Sequence, residues 1–262
     1  WDEPPVIQSE QIKNHRAAIQ SLLDRGLAYR CFATEAELEE MRASQKNEGK
    51  APRYDKRHRN LTSIEESKFI KEGRSAVIRF RIEDEDQIIW NDLIRGQMRW
   101  SASDLGGDMV IARRASAKEI GPPLYNLVVV VDDSYMGITH VIRGEEWLSS
   151  TPKHILLYNA FSWDIPKFAH VPLLLNPDKS KLSKRQGDVA VEDYIKKGVL
   201  PEALINFVAL LGWNPGNNRE IFSMDELISE FSLKSTSILN FSACSLTYVC
   251  AAVTDSFITS PS

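Results

Sequence analysis

The chain has 262 residues, 43 % of them hydrophobic and 26 % charged, which excludes wholesale disorder and collagen-like repeats. Its 32 basic and 36 acidic residues leave a net charge of -4, so attraction to nucleic acid or anionic lipid must come from a local patch. No apolar stretch approaches the ~20 residues of a membrane helix, and the cysteines, Cys31, Cys244 and Cys250, point to a reducing compartment rather than a disulfide framework.

The length fits one large domain or two ordinary ones. The chain opens at Trp1 without a charged n-region or apolar h-region, so no signal peptide is visible; a transit peptide ahead of Trp1 stays open. Ile12, Ile19, Leu22 and Leu23 share one helical face, and Gly26 follows as a C-cap. Thr34-Glu35-Ala36-Glu37 is a capping box that starts a second helix near Glu35. Residues 46–60 form a basic, irregular or frayed segment. Ser75–Ile82 alternates with period two and predicts a strand. Ile88–Trp90 and Gln97–Trp100 predict short strands about a turn at Arg95-Gly96. With Met109–Ala112 they suggest a mainly antiparallel insert. Leu127–Val131 is a continuous apolar run ending in Asp132-Asp133, the pattern of a strand buried in a parallel sheet. Thr139–Ile142 predicts a further strand, and Thr151-Pro152 a helix reaching Phe161. His170–Leu175 predicts a strand, followed by a polar loop, Asn176–Asp188. Helices are predicted over Val191–Gly198, Pro201–Leu211 and Met224–Phe231. From Lys234 onward the only charged side chains are Lys234 and Asp255. That shift in composition predicts a disordered tail or sequence from another reading frame, with Leu246–Val253 an aggregation hazard if exposed.

Two segments carry chemistry. Lys181-Leu182-Ser183-Lys184-Arg185 sits in the polar loop, where mobile cations can close on a polyphosphate as charge builds in a transition state. Asp133–Pro152 brings Arg143, Glu145, Glu146 and Trp147 off the end of a strand, the edge at which open α/β sheets bind ligands. Arg143 can fork onto a carboxylate, Glu146 can accept a ribose hydroxyl or an ammonium hydrogen, and Trp147 can wall a small pocket.

These residues resemble a bacterial-type or organellar glutamyl-tRNA synthetase, a class I aminoacyl-tRNA synthetase, from about Gln8 to Leu233. The most specific matches are Pro122–Asp133, Ile138–Phe161, the KLSKR sequence and Leu200–Trp213. The resemblance implies an α/β fold: a partial class I Rossmann-like catalytic domain with an α+β acceptor-binding insert and a helical stem-contact segment. The implied division is a catalytic remnant at 1–30, the insert at 31–115, and the second catalytic half with the KLSKR loop at 116–190. The stem-contact helices follow at 191–233 and the atypical tail at 234–262.

The resemblance also implies roles. Lys184, with Lys181, would act on the phosphates of ATP; Glu146 and Leu175 would contact the rest of the nucleotide. Tyr125, Arg143 and Trp147 would bind L-glutamate, and Arg53, Lys56, Arg57 and Arg59 would hold tRNA phosphates. ATP with Mg2+, L-glutamate and tRNA(Glu) are the implied substrates and partners of a monomer that uses no membrane. The implied compartment is a mitochondrion or plastid, otherwise a bacterial-type cytoplasm. Some relatives carry a zinc site of a Cys-x-Cys and a Cys-x-His pair. Here Ala33 follows Cys31 and Asn60 follows His58 at those spacings, so no zinc is expected and Cys31 reads as a small buried hydrophobe. His15, His140, His154 and His170 read as structural or surface residues.

The chain departs from the family pattern in having no His-x-Gly-His sequence, the first class I signature. It is therefore expected to be a partial product, and a non-catalytic tRNA-binding fragment is the alternative to glutamate–tRNA ligase. A shortened paralogue that glutamylates a tRNA base fits poorly, because such enzymes keep the first signature and tend to lose KLSKR.

Overall fold

The computed structural model describes residues 4–173, 191–211, 213–217 and 219–232. The chain divides into two compact units. The first runs to Trp90 and includes Met98–Thr139 and Ser149–Pro166. The second comprises Asn91–Gln97, His140–Leu148 and the described residues from Lys167 onward.

In the first unit, α1 (Ile12–Asp24) buries His15, Ile19 and Leu22 on one face. It ends as the glycine predicts. Gly26 takes φ +69°, its N–H donates to Leu23 O at 3.0 Å, and Leu27 N–H donates to Leu22 O at 2.9 Å, a Schellman closure. β1 (Ala28–Cys31), β2 (Ala76–Phe80) and β5 (Met109–Ala115) form an antiparallel sheet with β2 central. β1 and β2 pair in register from Ala28↔Phe80 to Cys31↔Val77. β2 and β5 shift register twice, between Ala76 and Ile78 and between Ile78 and Arg79. Between β1 and β2 lie α2 (Glu35–Asn47) and α3 (Ser63–Lys71). Each opens on a two-way capping box, Thr34 with Glu37 and Thr62 with Glu65. The second box, Thr62-x-x-Glu65, was legible in the sequence, and α3 is an element the periodicity alone did not reveal.

Leu127–Val131 is not a strand. It lies within α4 (Tyr125–Tyr135), which buries Leu127, Val128, Val130 and Val131. A short apolar run fits a buried helix as well as a buried strand, and the flanks decide. The chain leaves Pro122-Pro123 extended, Leu124 N–H donates to Ile111 O at 2.9 Å, and the helix ladder begins at Leu127. At the other end Gly137 takes φ +64°, and Ile138 N–H donates to Asp133 O at 2.9 Å. The acidic residues therefore belong to the last helical turns, and Asp132 Oδ1 lies 2.6 Å from Nε2 of buried His15 on α1. α5 (Thr151–Phe161) opens on Pro152 as expected.

In the second unit, β6 (His140–Gly144) and β7 (Lys167–Val171) are parallel, paired from His140↔Lys167 to Gly144↔Val171. The intervening chain contains α5, the kind of connection parallel strands need. β3 (Gln87–Asp92) reaches β7 through Asp92↔Phe168, and β4 (Gly96–Ser101) adjoins β3, giving the order β4-β3-β7-β6. β7 begins three residues before the predicted His170 start and stops at Val171. Pro172 has no N–H for the ladder, which is why a strand through Leu175 was the wrong extent. Leu174 and Leu175 lie outside the described residues.

Three helices follow as predicted: α6 (Val191–Lys196), α7 (Pro201–Leu210) and α8 (Met224–Glu230). Trp213, Phe222 and Leu227 form a buried cluster with Ala209 and Leu210 of α7 packed against it. Asn206 closes it: its Nδ2 donates to Glu220 O at 2.7 Å and its Oδ1 accepts from Phe222 N–H at 2.9 Å.

Candidate active site

Arg143 lies on β6, one residue before its end, and Glu146 and Trp147 lie in the 3-10 turn that follows, Glu145–Ser150. Strand, glycine and tight turn thus carry three expected site residues within one short segment. Gly144 leaves room beside the turn for a side chain. A Cβ built there would lie 2.0 Å from Glu146 Oε2 and 2.8 Å from its Cδ, so the Glu146 carboxylate folds back over bare backbone. Trp147 is 39 % exposed, open enough to wall a ligand pocket. Its carbonyl accepts a long 3.4 Å hydrogen bond from Arg143 Nη2.

The guanidinium of Arg143 is oriented from behind. Its Nε donates to His170 Nε2 at 3.1 Å, and its Cζ lies 5.7 Å from the Phe168 ring centre. His170 is fully buried on β7. Its Nδ1 lies 2.6 Å from Oδ2 of Asp92, whose side chain is equally buried. Asp92 Oδ1 accepts from three backbone N–H groups: Ile94 and Arg95 at 3.1 Å and His170 at 3.2 Å. Burial pushes the Asp92 carboxyl upward. The His170 ring and the three N–H groups outweigh burial and hold it below the usual carboxylate range. Arg95 donates to His170 O at 3.3 Å and pairs with Glu145, whose Oε1 accepts from Leu173 N–H at 3.2 Å. Asp92 and Arg95 were not singled out in the sequence, and His170 was read as structural. Only the strand pairing at Asp92↔Phe168 brings the first to the last, and no local pattern states that pairing.

The other expected residues lie elsewhere or outside the description. Tyr125 is the first residue of α4 in the first unit, 44 % exposed, with its ring edge-on to His154 at 6.2 Å. His154 Nε2 lies 3.1 Å from Asn126 Oδ1. Leu175, Lys181 and Lys184 lie outside the described residues. Arg53, Lys56, Arg57 and Arg59 sit in the first unit, each beside an acid. Arg53 and Lys56 share Asp84 Oδ1 at 2.7 and 3.0 Å, and Arg57 meets Asp55 at 2.8 Å. Arg59 pairs with Glu83, and its Nε lies 3.6 Å from buried Asp108.

Cys31 is buried, as expected, but it is not merely a hydrophobe. Its Sγ lies 3.1 Å from Tyr54 Oη and 3.8 Å from His58 Nδ1. Burial raises the thiol, yet the hydrogen bonds of His58 and Tyr54 and the charge of Arg79 bring it down to about 7. Arg79 lies over the Tyr54 ring at 3.6 Å and donates to Asp108 O at 2.7 Å. Among the described residues no group of three or more His, Cys, Asp or Glu side chains is arranged to hold a metal ion.

The geometry can be set beside known proteins. The family described as tRNA synthetases class I (E and Q), catalytic domain, matches residues 1–247. A glutamate–tRNA ligase of Prochlorococcus marinus (strain MIT 9211) is 58 % identical over 227 residues, 86 % of this chain and 48 % of that protein. One from Synechococcus sp. (strain CC9605) is 58 % identical over 232 residues, 88 % of this chain and 49 % of that protein. The crystal structure of a glutamate tRNA ligase from Elizabethkingia meningosepticum CCUG26117, in complex with its amino acid, superposes with a TM-score of 0.82 at 35 % identity. It covers 97 % of this chain and 55 % of that one. The chain spans about half the length of the curated relatives it matches.

Proposed function

The chain belongs to the class I tRNA synthetases of the E and Q type, matching their catalytic domain, and on that premise we propose that it works as a glutamate–tRNA ligase. The observation that carries the reading is the Arg143-Gly144-Glu145-Glu146-Trp147 turn at the end of β6, with its arginine oriented by buried partners. In this reading Arg143, Trp147 and Tyr125 bind L-glutamate. Glu146 and Leu175 contact ATP, Lys184 with Lys181 gathers its phosphates, and Mg2+ arrives with the nucleotide as part of the substrate.

The reaction has two steps. A carboxylate oxygen of glutamate attacks the α-phosphorus of ATP, forming glutamyl-adenylate and releasing pyrophosphate. A terminal ribose hydroxyl of tRNA(Glu) then attacks the activated carbonyl and AMP leaves. Neither step asks much acid–base work of the protein. Positioning and charge neutralisation supply the rate, which suits a site built of one arginine, lysines and a carboxylate.

We assign residues 31–115 to gripping the tRNA acceptor end, 116–190 to the second catalytic half, and 191–233 to stem contact. The protein is read as a monomer of a mitochondrion or plastid, otherwise of a bacterial-type cytoplasm; the identity to Prochlorococcus and Synechococcus proteins supports the bacterial type common to these compartments. No described helix is long and apolar enough to cross a membrane.

Calorimetric titration with L-glutamate tests the amino-acid site. The unaltered chain is predicted to bind, and Arg143→Ala to bind at least about tenfold more weakly, the scale of a lost charge-assisted contact. Equal affinity in the two chains would remove Arg143 from the site.

A further inference from the structure

We propose that His170 and Asp92 are positioning residues that hold the Arg143 guanidinium in place for capture of a carboxylate; this rests on the reading of Arg143 as a glutamate contact. The anchoring runs inward to outward. Three backbone N–H groups fix Asp92 Oδ1, Asp92 Oδ2 fixes His170 Nδ1 at 2.6 Å, and His170 Nε2 fixes Arg143 Nε at 3.1 Å.

Chemistry assigns each proton. An arginine Nε always carries hydrogen and the guanidinium is never neutral in a protein. His170 Nε2 must therefore be the bare acceptor nitrogen, and Nδ1 carries the hydrogen that Asp92 receives. Doubly protonated imidazole would set N–H against N–H, so the geometry requires neutral His170 between a carboxylate and a guanidinium. His170 takes the Nε hydrogen and Trp147 O an Nη2 hydrogen at 3.4 Å, so the guanidinium is tethered at two corners. Arginine loses much rotamer freedom when it is fixed. Here that loss is met on folding, by groups within the second unit, before any ligand arrives.

A purely structural buried pair, tying the β3 turn to β7, is the competing role, and two substitutions separate them. His170→Asn retains a donor near the Nδ1 position for Asp92 but removes the acceptor for Arg143. His170→Gln can place its amide oxygen near the Nε2 position and restore that acceptor. Glutamate and ATP are titrated into each chain. His170→Asn is predicted to weaken glutamate at least about tenfold and leave ATP within about twofold, whereas His170→Gln stays within about threefold of the unaltered chain for both. Unchanged glutamate affinity in His170→Asn, or equal losses of glutamate and ATP in both variants, would overturn the proposal.

If the substitutions unfold the chain, 15N spectroscopy of the unaltered chain decides. An unprotonated His170 Nε2 with a slowly exchanging Arg143 Nε–H supports the proposal, and a protonated Nε2 overturns it. An unaltered chain that binds no glutamate removes the Arg143 reading and the positioning role with it. An unaltered chain that binds glutamate as tightly as His170→Asn does removes the positioning role alone.

Discussion

Gly144 is the residue at which bare backbone and a candidate site side chain meet most closely. Any Cβ there collides with the Glu146 carboxylate, at 2.0 Å from Oε2, and the long side chain must swing away. Gly144→Ala is therefore predicted to change stability by less than about 1 kcal/mol, because a flexible end yields, while weakening ATP roughly three- to tenfold. Nucleotide titration beside a thermal melt reads both, and ATP affinity equal to that of the unaltered chain would contradict the role of Glu146. Asp92 gives a second prediction at this scale. Its folded carboxyl is held low despite burial, by His170 and the backbone N–H groups of His170, Arg95 and Ile94. An unfolded aspartate takes up its proton near pH ~3.9, the folded one only at lower pH. The stabilisation is thus fully present above about pH 4 and is lost as pH falls toward the folded value. Between about pH 5 and about pH 3 the melting temperature of Asp92→Asn should fall less than that of the unaltered chain. Parallel slopes would contradict the assignment.

At the scale of elements, α5 ends on a conformational cost. Ser162 holds φ +60° so that its N–H reaches Asn159 O and Trp163 N–H reaches Tyr158 O, each at 3.0 Å. The side chain is exposed. Ser162→Gly should keep the closure, remove the Cβ strain and raise stability by roughly 1 kcal/mol in denaturant unfolding; a loss of stability would show that the hydroxyl matters more than the backbone. Such ends were largely legible beforehand. Gly26 closed α1, Thr34 with Glu37 opened α2, and Pro152 and Pro201 sat in the first turns of α5 and α7. Each signal is local: it depends on one residue's backbone freedom or one hydroxyl's reach. Leu127–Val131 failed because burial, not periodicity, chose its residues. The deciding signals were Pro122-Pro123 before it and Gly137 after it, which bracket a helix too long for one buried strand.

For the whole molecule, the part that sequence could not supply is the long-range pairing. Asp92 and His170 stand 78 positions apart and meet because the end of β3 adds to β7 beside β6. Arg143, Glu146 and Trp147 could be named as candidates because they are nearly consecutive and carry a family resemblance; the residues that orient Arg143 could not. The basic strip shows the same limit. The sequence displays Arg53, Lys56, Arg57 and Arg59 as excess charge, and the fold sets Asp84, Asp55, Glu83 and Asp108 beside them. Ion pairs at partly exposed sites are worth ~0–1 kcal/mol, so phosphates can compete for Arg53, Lys56 and Arg57, and the tRNA contact proposed above would be one of exchange rather than of vacant charge.

Ligase activity is tested most directly by ATP–pyrophosphate exchange by the purified chain with L-glutamate and tRNA(Glu) present. The exchange is predicted to require glutamate, not to be supported by other amino acids, and to fall at least about a hundredfold in Lys184→Ala. No glutamate-dependent exchange, from a chain shown by circular dichroism to be folded, would contradict ligase activity and leave tRNA binding as its function.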